Sequence, residues 1–291
     1  MPEQPAPTAP GLFHWLESHP PRGRFRAWVV EADGRVVGVA TAELNWSSSA
    51  ADAGWWWAGV RNHARGHRLG SALVAAAEAH LVAAGARKLE SIALAGSPGE
   101  RLLDARGYVR TRTELVLRLA VDTADLSTLS QLEATKRADG LRVVPLAEVA
   151  DRMRDLHVLY AAASEDVPAD DPEDDIRFDD FRSHVMGDPE LSRDGSFVVL
   201  HGERPIALAF LLVDHDDRVA VNEMTGTLPE FRGRGLARLA KLAGIRWARD
   251  AGLRELATDN DGENAAMLGL NRSLGYRVTH ERVMLARELA R

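Results

Sequence analysis

Two apolar runs, Phe25–Ala32 and Arg35–Leu44, flank Asp33-Gly34, a two-residue turn signal, and predict a β-hairpin. A short helix over Leu12–Ser18, stopped by Pro20-Pro21, precedes it. Strand 54–61 follows, then a helix over 67–84 closing at Gly85, with Leu73, Val74, Ala77 and Leu81 at helical spacing. Strand 88–95, helix 98–106 and a strand near 109–120 complete the first run of elements. Residues 122–140 carry polar side chains around Leu126, Leu129 and Leu132 and predict a linker with a marginal helix. The second run is strand 141–146, helices 147–163 and 178–186, then strands 196–201, 205–213 and 219–227. Helix 234–251 (Leu236, Leu239, Ala240, Leu242, Ala243 and Trp247 on one face), strand 254–258, helix 264–274 and strand 277–289 end it. The class is α/β (α+β).

One unit occurs twice. Strand 54–61 leads into Arg65-Gly66-His67-Arg68-Leu69-Gly70 and a helix; strand 219–227 leads into Arg232-Gly233-Arg234-Gly235-Leu236-Ala237 and a helix. The loop arginines are 167 residues apart, and the later Gly107-Tyr108 and Gly275-Tyr276 corners 168. Such agreement identifies a tandem duplication. The expected division is a disordered tail over 1–10, a first domain over 11–121, the linker over 122–140 and a second domain over 141–291. From Leu12 to Arg65 is 53 residues, but from Leu141 to Arg232 is 91, so the first copy lacks the opening strand and helix. Its sheet is expected to keep an open edge, covered by the linker, the second copy or another chain.

Glycines where a strand hands over to a helix let backbone N–H groups converge on an anion, and the helix N-terminus adds partial positive charge. The Walker loop requires Gly-Lys-Ser/Thr and the Rossmann fingerprint three spaced glycines; neither is present. The segment Arg232–Ala237 resembles the acetyl-CoA loop of the GNAT superfamily of N-acetyltransferases, Arg/Gln-x-x-Gly-x-Gly/Ala. The helix from Asn264 through Asn271 to Gly275-Tyr276 resembles that superfamily's next landmark. The match extends over nearly the whole chain, in the manner of tandem acetyltransferases of the mycothiol synthase type, whose second half is the active one.

The resemblance implies two tandem GNAT-like domains, each a mixed, mainly antiparallel sheet flanked by helices. It also implies acetyl-CoA as co-substrate and a small amine as acceptor. Arg232, Gly233, Arg234, Gly235, Leu236 and Ala237 would cradle the pyrophosphate, and Met224, Thr225, Gly226 and Thr227 would offer backbone groups to the pantetheine arm. Asn264 and Asn271, seven residues apart on one helix face, are expected cofactor contacts; an N-cap and a surface amide are the alternatives. For the base, Glu223 stands in an otherwise apolar strand, where burial would raise its pKa toward neutrality; a water chain could serve instead. Tyr160 is a candidate proton donor or a member of a hydrophobic helix face.

The copies differ where chemistry matters. Arg68 replaces the loop's second glycine, Ser97 or Pro98 stands near the equivalent of Asn264, and Leu103 occupies the place of the family's proton-donating tyrosine. The first copy therefore looks degraded. In the second copy the tyrosine position holds Asn271, whose amide cannot act as a general acid. Two further readings stay open: an aminoglycoside- or polyamine-type antibiotic acetyltransferase, and a non-catalytic acyl-CoA-binding or sensing protein.

Composition narrows this further. Cysteine is absent, which excludes disulfides, thiolate zinc sites and a cysteine nucleophile. His63 and His67 stand at i, i+4 without a third ligand, and no metal is expected. The net charge is −7, of which residues 165–180, with nine acids and one arginine, hold −8. That sign disfavours nucleic acid as a partner. The segment lies where the family lines its acceptor groove, and would either attract a cationic amine or remain a solvated loop. Trp55, Trp56 and Trp57 alternate faces of one strand and are expected to pack. No basic n-region or long apolar run is present, so the expectation is a cytoplasmic monomer or homodimer with no membrane contact.

Overall fold

The computed structural model describes residues 5, 7–50, 52–170 and 173–290. The first half runs α1 (Ala9–Glu17), β1 (Arg26–Ala32), β2 (Arg35–Leu44), β3 (Ala53–Val60), α2 (Leu69–Ala84), β4 (Lys88–Leu94), α3 (Pro98–Asp104) and β5 (Val109–Ala120). After α4 (Leu129–Ala138) the second half runs β6 (Leu141–Pro145), α5 (Met153–Ser164), α6 (Phe178–Asp180), β7 (Phe197–His201), β8 (Arg204–Asp214) and β9 (Val219–Thr227). It closes with α7 (Leu236–Asp250), β10 (Glu255–Asp261), α8 (Ala265–Ser273) and β11 (Arg277–Glu288).

Local chemistry sets the boundaries. The β1–β2 turn places Asp33 and Gly34 at φ 51° and 70°, as a two-residue hairpin requires. Helix α2 ends on Gly85 at φ 99°, its N–H returning to the last turn. The helix expected from 147 begins instead at Met153, because residues 146–148 make a separate 3₁₀ turn that buries Leu146 and Val149. The helix expected over 178–186 starts as α6 and widens into a π-helical turn at Phe181–Val185.

Each half supplies a mixed, mainly antiparallel sheet flanked by helices, and the two join into one sheet of eleven strands. The order is β1-β2-β3-β4-β11-β5-β10-β9-β8-β7-β6. The final strand of each copy has crossed into the other. Strand β11 pairs antiparallel with β4 of the first half, β5 pairs antiparallel with β10 of the second, and β5 and β11 pair with each other at the seam. The cores follow the strands: Leu117 and Leu119 of β5 belong to the second half's core, while Val283 and Leu285 of β11 belong to the first's. The boundaries at 121 and 141 therefore divide the chain in sequence, while the two cores in space each contain a strand from beyond them.

The linker joins the larger core through Ala124 and Leu129, next to Val121 at the end of the first half. Arg249 on α7 donates to the carbonyls of Val121 (2.9 Å) and Ala124 (2.6 Å). Among the described residues no strand precedes β1, which ends the sheet as an open edge. Of the expected tail, residues 1–4 and 6 lie outside the described residues, whereas Ala9 and Pro10 already belong to α1, capped by Thr8. That helix does not cover its own half's edge. It lies on the second half: the Thr8 N–H donates to Glu190 (2.5 Å), and Ser18 Oγ meets His184 Nδ1 (2.7 Å).

At the seam, Arg282 of β11 is 2% exposed, and its Nη2 reaches Glu114 of β5 (2.6 Å) and Asp259 of β10 (2.9 Å). Burial, and then the Asp259 charge, push the Glu114 carboxyl up to about 8, with Arg282 pulling the other way. Removing the guanidinium would leave two half-buried carboxyls facing each other without their shared cation. Arg282→Met is expected to cost about 3–5 kcal/mol in urea unfolding. Adding Glu114→Gln and Asp259→Asn should recover most of that loss; equal stability of wild type and single variant would show that the triad is dispensable.

Candidate active site

Strands β9 and β10 run parallel and pair only at Val219–Val221 with Glu255–Ala257. Beyond that point they separate, and the gap opens a cavity of about 980 Å³. The splay coincides with a bulge. On β8, Ala209 faces Thr225 and Leu211 faces Asn222, so that Glu223 and Met224 together stand opposite Phe210. The bulge orphans backbone groups, and Asn222 satisfies them. Its buried Nδ2 donates to the carbonyls of Phe210 (2.9 Å) and Met224 (3.3 Å). Its Oδ1 accepts from Lys241 Nζ on α7, and Thr258 on β10 donates to its backbone carbonyl (3.3 Å). One amide thus holds the bulge, the helix and the splay point together.

The bulge turns Glu223 toward α5, where the Tyr160 hydroxyl donates to Glu223 Oε1 at 2.8 Å. Tyr160 is held by Phe181 and Phe210, with ring centroids at 5.2 Å and 6.2 Å. Glu223 is exposed, and its carboxylate opens onto the cavity, while the protein mass around the site still penalises its charged form. Burial pushes its pKa up to about 7, the Tyr160 hydroxyl holding it back and the Glu173 charge adding to the rise. Burial and the Glu223 charge raise the Tyr160 phenol well above its ordinary range.

The glycine loop forms the other end. Gly233 and Gly235 take φ 74° and 75°, and a Cβ on either would meet no protein atom within 4 Å. The space beside them belongs to the cavity, and no side chain caps the first N–H groups of α7. Gly226 serves a different purpose: its added Cβ would strike Ala163 of α5, so the glycine lets strand and helix approach.

Of the residues singled out in the sequence, Tyr160, Glu223, Met224, Thr225, Gly226 and Thr227 line this one cavity, as do Arg232, Gly233, Gly235, Leu236, Ala237 and Asn264. Two do not. The Arg234 guanidinium lies over the Phe231 ring at 5.3 Å and lines no part of the cavity. Asn271 is fully buried; its Nδ2 donates to Asn260 Oδ1 (2.6 Å), so it acts on the wall only through Asn260. Asn264 caps α8, accepting from the Met267 N–H at 3.0 Å. Arg232 pairs with Asp166 at 2.5 Å and donates to the Thr227 carbonyl (3.2 Å).

Other lining residues carried no sequence signal because they come from the first half. Strand β5 brings Arg112 and Glu114, α1 brings Trp15, and Trp46 and Ser47 arrive from the loop after β2. Arg112 Nη1 donates to Asp261 (2.8 Å) and to the Pro168 carbonyl (2.8 Å), and its Nε lies 3.3 Å from Asp170. The acidic segment is thereby strapped across the cavity mouth, and Asp174 accepts twice from Ser49, each at 2.7 Å. His184 completes the far wall, lowered to about 4 by burial and by neighbouring His19 and His14. Among the described residues no three His, Asp or Glu side chains could hold a metal ion, and no helix is long and apolar enough to cross a membrane.

The first half keeps the splay but not the bulge. Strands β3 and β4 pair only at Ala53–Trp55 with Lys88–Glu90, yet β2 and β3 pair residue for residue from Gly38–Val60 to Leu44–Gly54. There is no bulge and therefore no counterpart of Glu223. Trp56 points into the core, where its Nε1 donates to Tyr108 (2.8 Å), which donates to Glu78 (3.0 Å). Arg68 holds the left-handed conformation of Gly235 at φ 62°, a strain of roughly 1 kcal/mol for a residue with a Cβ.

Comparison with known proteins agrees with this architecture. A mycothiol acetyltransferase of Thermobifida fusca is 29% identical over 285 residues, covering 91% of this chain and 84% of the relative. A tandem GNAT protein from the clavulanic acid biosynthesis pathway superposes with a TM-score of 0.71 at 19% identity, covering 99% of this chain and 90% of the other. A GCN5-related N-acetyltransferase of Sphaerobacter thermophilus gives 0.62 at 17% identity, covering 90% and 80%. The model of the acetyltransferase (GNAT) family matches residues 2–103 and 152–276, one segment in each half. This chain belongs to the GNAT family of acetyltransferases.

Proposed function

We propose that the protein transfers an acetyl group from acetyl-CoA to the primary amine of a small molecule, in the cavity of its second half. One observation carries this reading: a carboxylate of raised pKa stands at the splay point in the same cavity as an uncapped, glycine-led helix N-terminus, and the first half has no such carboxylate. The loop N–H groups and the α7 terminus would hold the pyrophosphate. Backbone groups of Met224–Thr227, freed from β10 by the splay, would pair with the pantetheine arm and meet the developing oxyanion. Glu223 would take the proton of the attacking amine. Tyr160 orients that carboxylate; its raised pKa suits it to donating a hydrogen bond rather than a proton.

The acceptor end is aromatic and acidic. Trp15, Trp46, Glu173 and Asp188 line it, and burial raises the pKa of both carboxyls. Such a wall favours a small cationic amine. Amines of the polyamine and aminoglycoside type and a mycothiol-type acceptor, after the relatives' name, form the panel to be assayed. A sensing protein would share the cofactor cradle and lack turnover.

Calorimetric titration of acetyl-CoA is expected to give one site in the wild type, one in Arg68→Gly and none in Gly235→Arg. Two wild-type sites would overturn the assignment to the second half, and no binding would remove the acetyltransferase reading of this cavity. In thiol-release assays Glu223→Gln should lower kcat about 10²–10⁴-fold while leaving acetyl-CoA affinity intact. Because Glu223 titrates near pH 7, kcat/KM should show an ascending limb close to neutrality as the carboxylate forms, and that limb should vanish in Glu223→Gln. Tyr160→Phe deletes the hydrogen bond that holds the carboxyl down, so its limb should move to higher pH. An unmoved limb in both variants would exclude Glu223 as the base.

A further inference from the structure

The bulge that turns Glu223 toward α5 leaves Asn222 facing the opposite side of the sheet, toward α7. There Asn222 meets Lys241, which is 3% exposed yet lines the same cavity. No carboxylate lies within ion-pair distance of Lys241 among the described residues; its neighbours are the Asn222 amide and the Tyr276 ring, 5.1 Å from Nζ. The nearby carboxylates are committed elsewhere: Asp259 and Glu114 bind Arg282, and Asp261 binds Arg112. A buried ammonium without a counter-ion is costly unless the site is built to receive an anion. The equivalent place on α2 is Val74, an ordinary core residue of the half that lacks the bulge. Lysine and bulge thus occur in the same half.

We infer that Lys241 is the group that meets the departing sulfur, supplying the proton that Asn271, at the family's tyrosine position, cannot. The inference rests on the acetyl-transfer reading above. Glu223 and Lys241 reach the gap from opposite faces of the sheet, so a thioester threaded between β9 and β10 has a base on one side and an ammonium on the other. The amine nitrogen enters from the Glu223 side and forms the C–N bond; its proton passes to the Glu223 carboxylate. The C–S bond breaks, its electron pair remains on sulfur, and sulfur takes a proton from the Lys241 ammonium. Exchange with solvent returns a proton to Lys241 and removes one from Glu223, so no other reactant is consumed. Burial draws the Lys241 pKa down to about 7, within reach of a thiol's own value, which makes proton transfer nearly balanced.

The test compares leaving groups. Lys241→Met keeps the stem and deletes the charge. With acetyl-CoA its kcat is expected to fall about 10²-fold, with KM for acetyl-CoA within about threefold of wild type. With p-nitrothiophenyl acetate, whose thiolate departs without protonation, wild type and variant should acetylate the same amine at rates within about threefold. An equal loss with both donors would mean that Lys241 only supports the bulge, and would overturn the inference. So would an unchanged kcat with acetyl-CoA. Glu223→Gln, run in parallel, separates the two levels: if it lowers turnover while Lys241→Met does not, the acetyl-transfer reading stands and this inference falls. If neither wild type nor variants release thiol with any amine, the underlying reading has failed.

Discussion

The exchange of β5 and β11 is the constraint on which the rest of the molecule depends. Neither half can close its core with its own strands, since Leu117 and Leu119 fill the second half's core and Val283 and Leu285 the first's. A strand buried on both sides must satisfy its whole backbone ladder, and here each copy's last strand finds its partners across the seam. Both halves must therefore be present for either to be complete. This gives a physical reason why a copy with a disrupted phosphate loop persists. It supplies Arg112 and Glu114 to the cavity wall, and through α1 it supplies Trp15. The first half is a structural wall of the second half's site.

Within that shared frame, the two copies diverge by one inserted residue. In β3 each position pairs singly with β2; in β9 two residues share one partner. The bulge absorbs the insertion, and beyond it β9 resumes its pairing with β8 at Ala209–Thr225. It places Glu223 on the α5 side, and it would leave the Phe210 carbonyl unsatisfied were Asn222 not there to donate to it. The first copy puts the Trp56 indole where this polar hub would stand, and turns the space into packed core. An open polar site and a packed core are thus separated by one bulged residue.

Much of this was legible in the sequence because its signals were local. Asp33-Gly34 fixed a hairpin, glycines marked the loop and the helix ends, and the repeated loop and Gly-Tyr corner revealed the duplication. Strand and helix positions agree to within a few residues, except where short-range geometry intervened at 146–152 and 181–185. The strand exchange was not legible, because β5 and β11 carry the same apolar pattern whichever half they complete. Arg112 and Glu114 were invisible as site residues for that reason, and Trp15 because nothing local shows that α1 lies on the other half. Lys241 and Asn222 were invisible for another: each looks like an ordinary polar residue until the bulge brings them together. Asn271 illustrates the reverse error. Its spacing from Asn264 put it on the right face, but the face at that turn packs inward against Asn260.

The acidic segment shows how structure changes the meaning of charge. As a sequence, residues 165–180 form a concentrated negative patch that would steer cations over long range. In the fold, Asp166 pairs with Arg232, Asp170 with Arg112, Asp175 with Arg177, Asp179 with Arg182 and Asp180 with Arg22. Those partners come from both halves, so the described part of the segment is a strap tied down by ion pairs that offset part of its charge. Inside the cavity, Glu173 and Asp188 have raised pKa values, which weakens any remaining steering. Under the proposed reaction, selection of the acceptor would then lean on short-range contact with the tryptophans and carboxyls of the wall, where desolvation makes each hydrogen bond count. The strap's paired charges hold that wall in place, which ties the cavity to the same interface between halves that holds the sheet together.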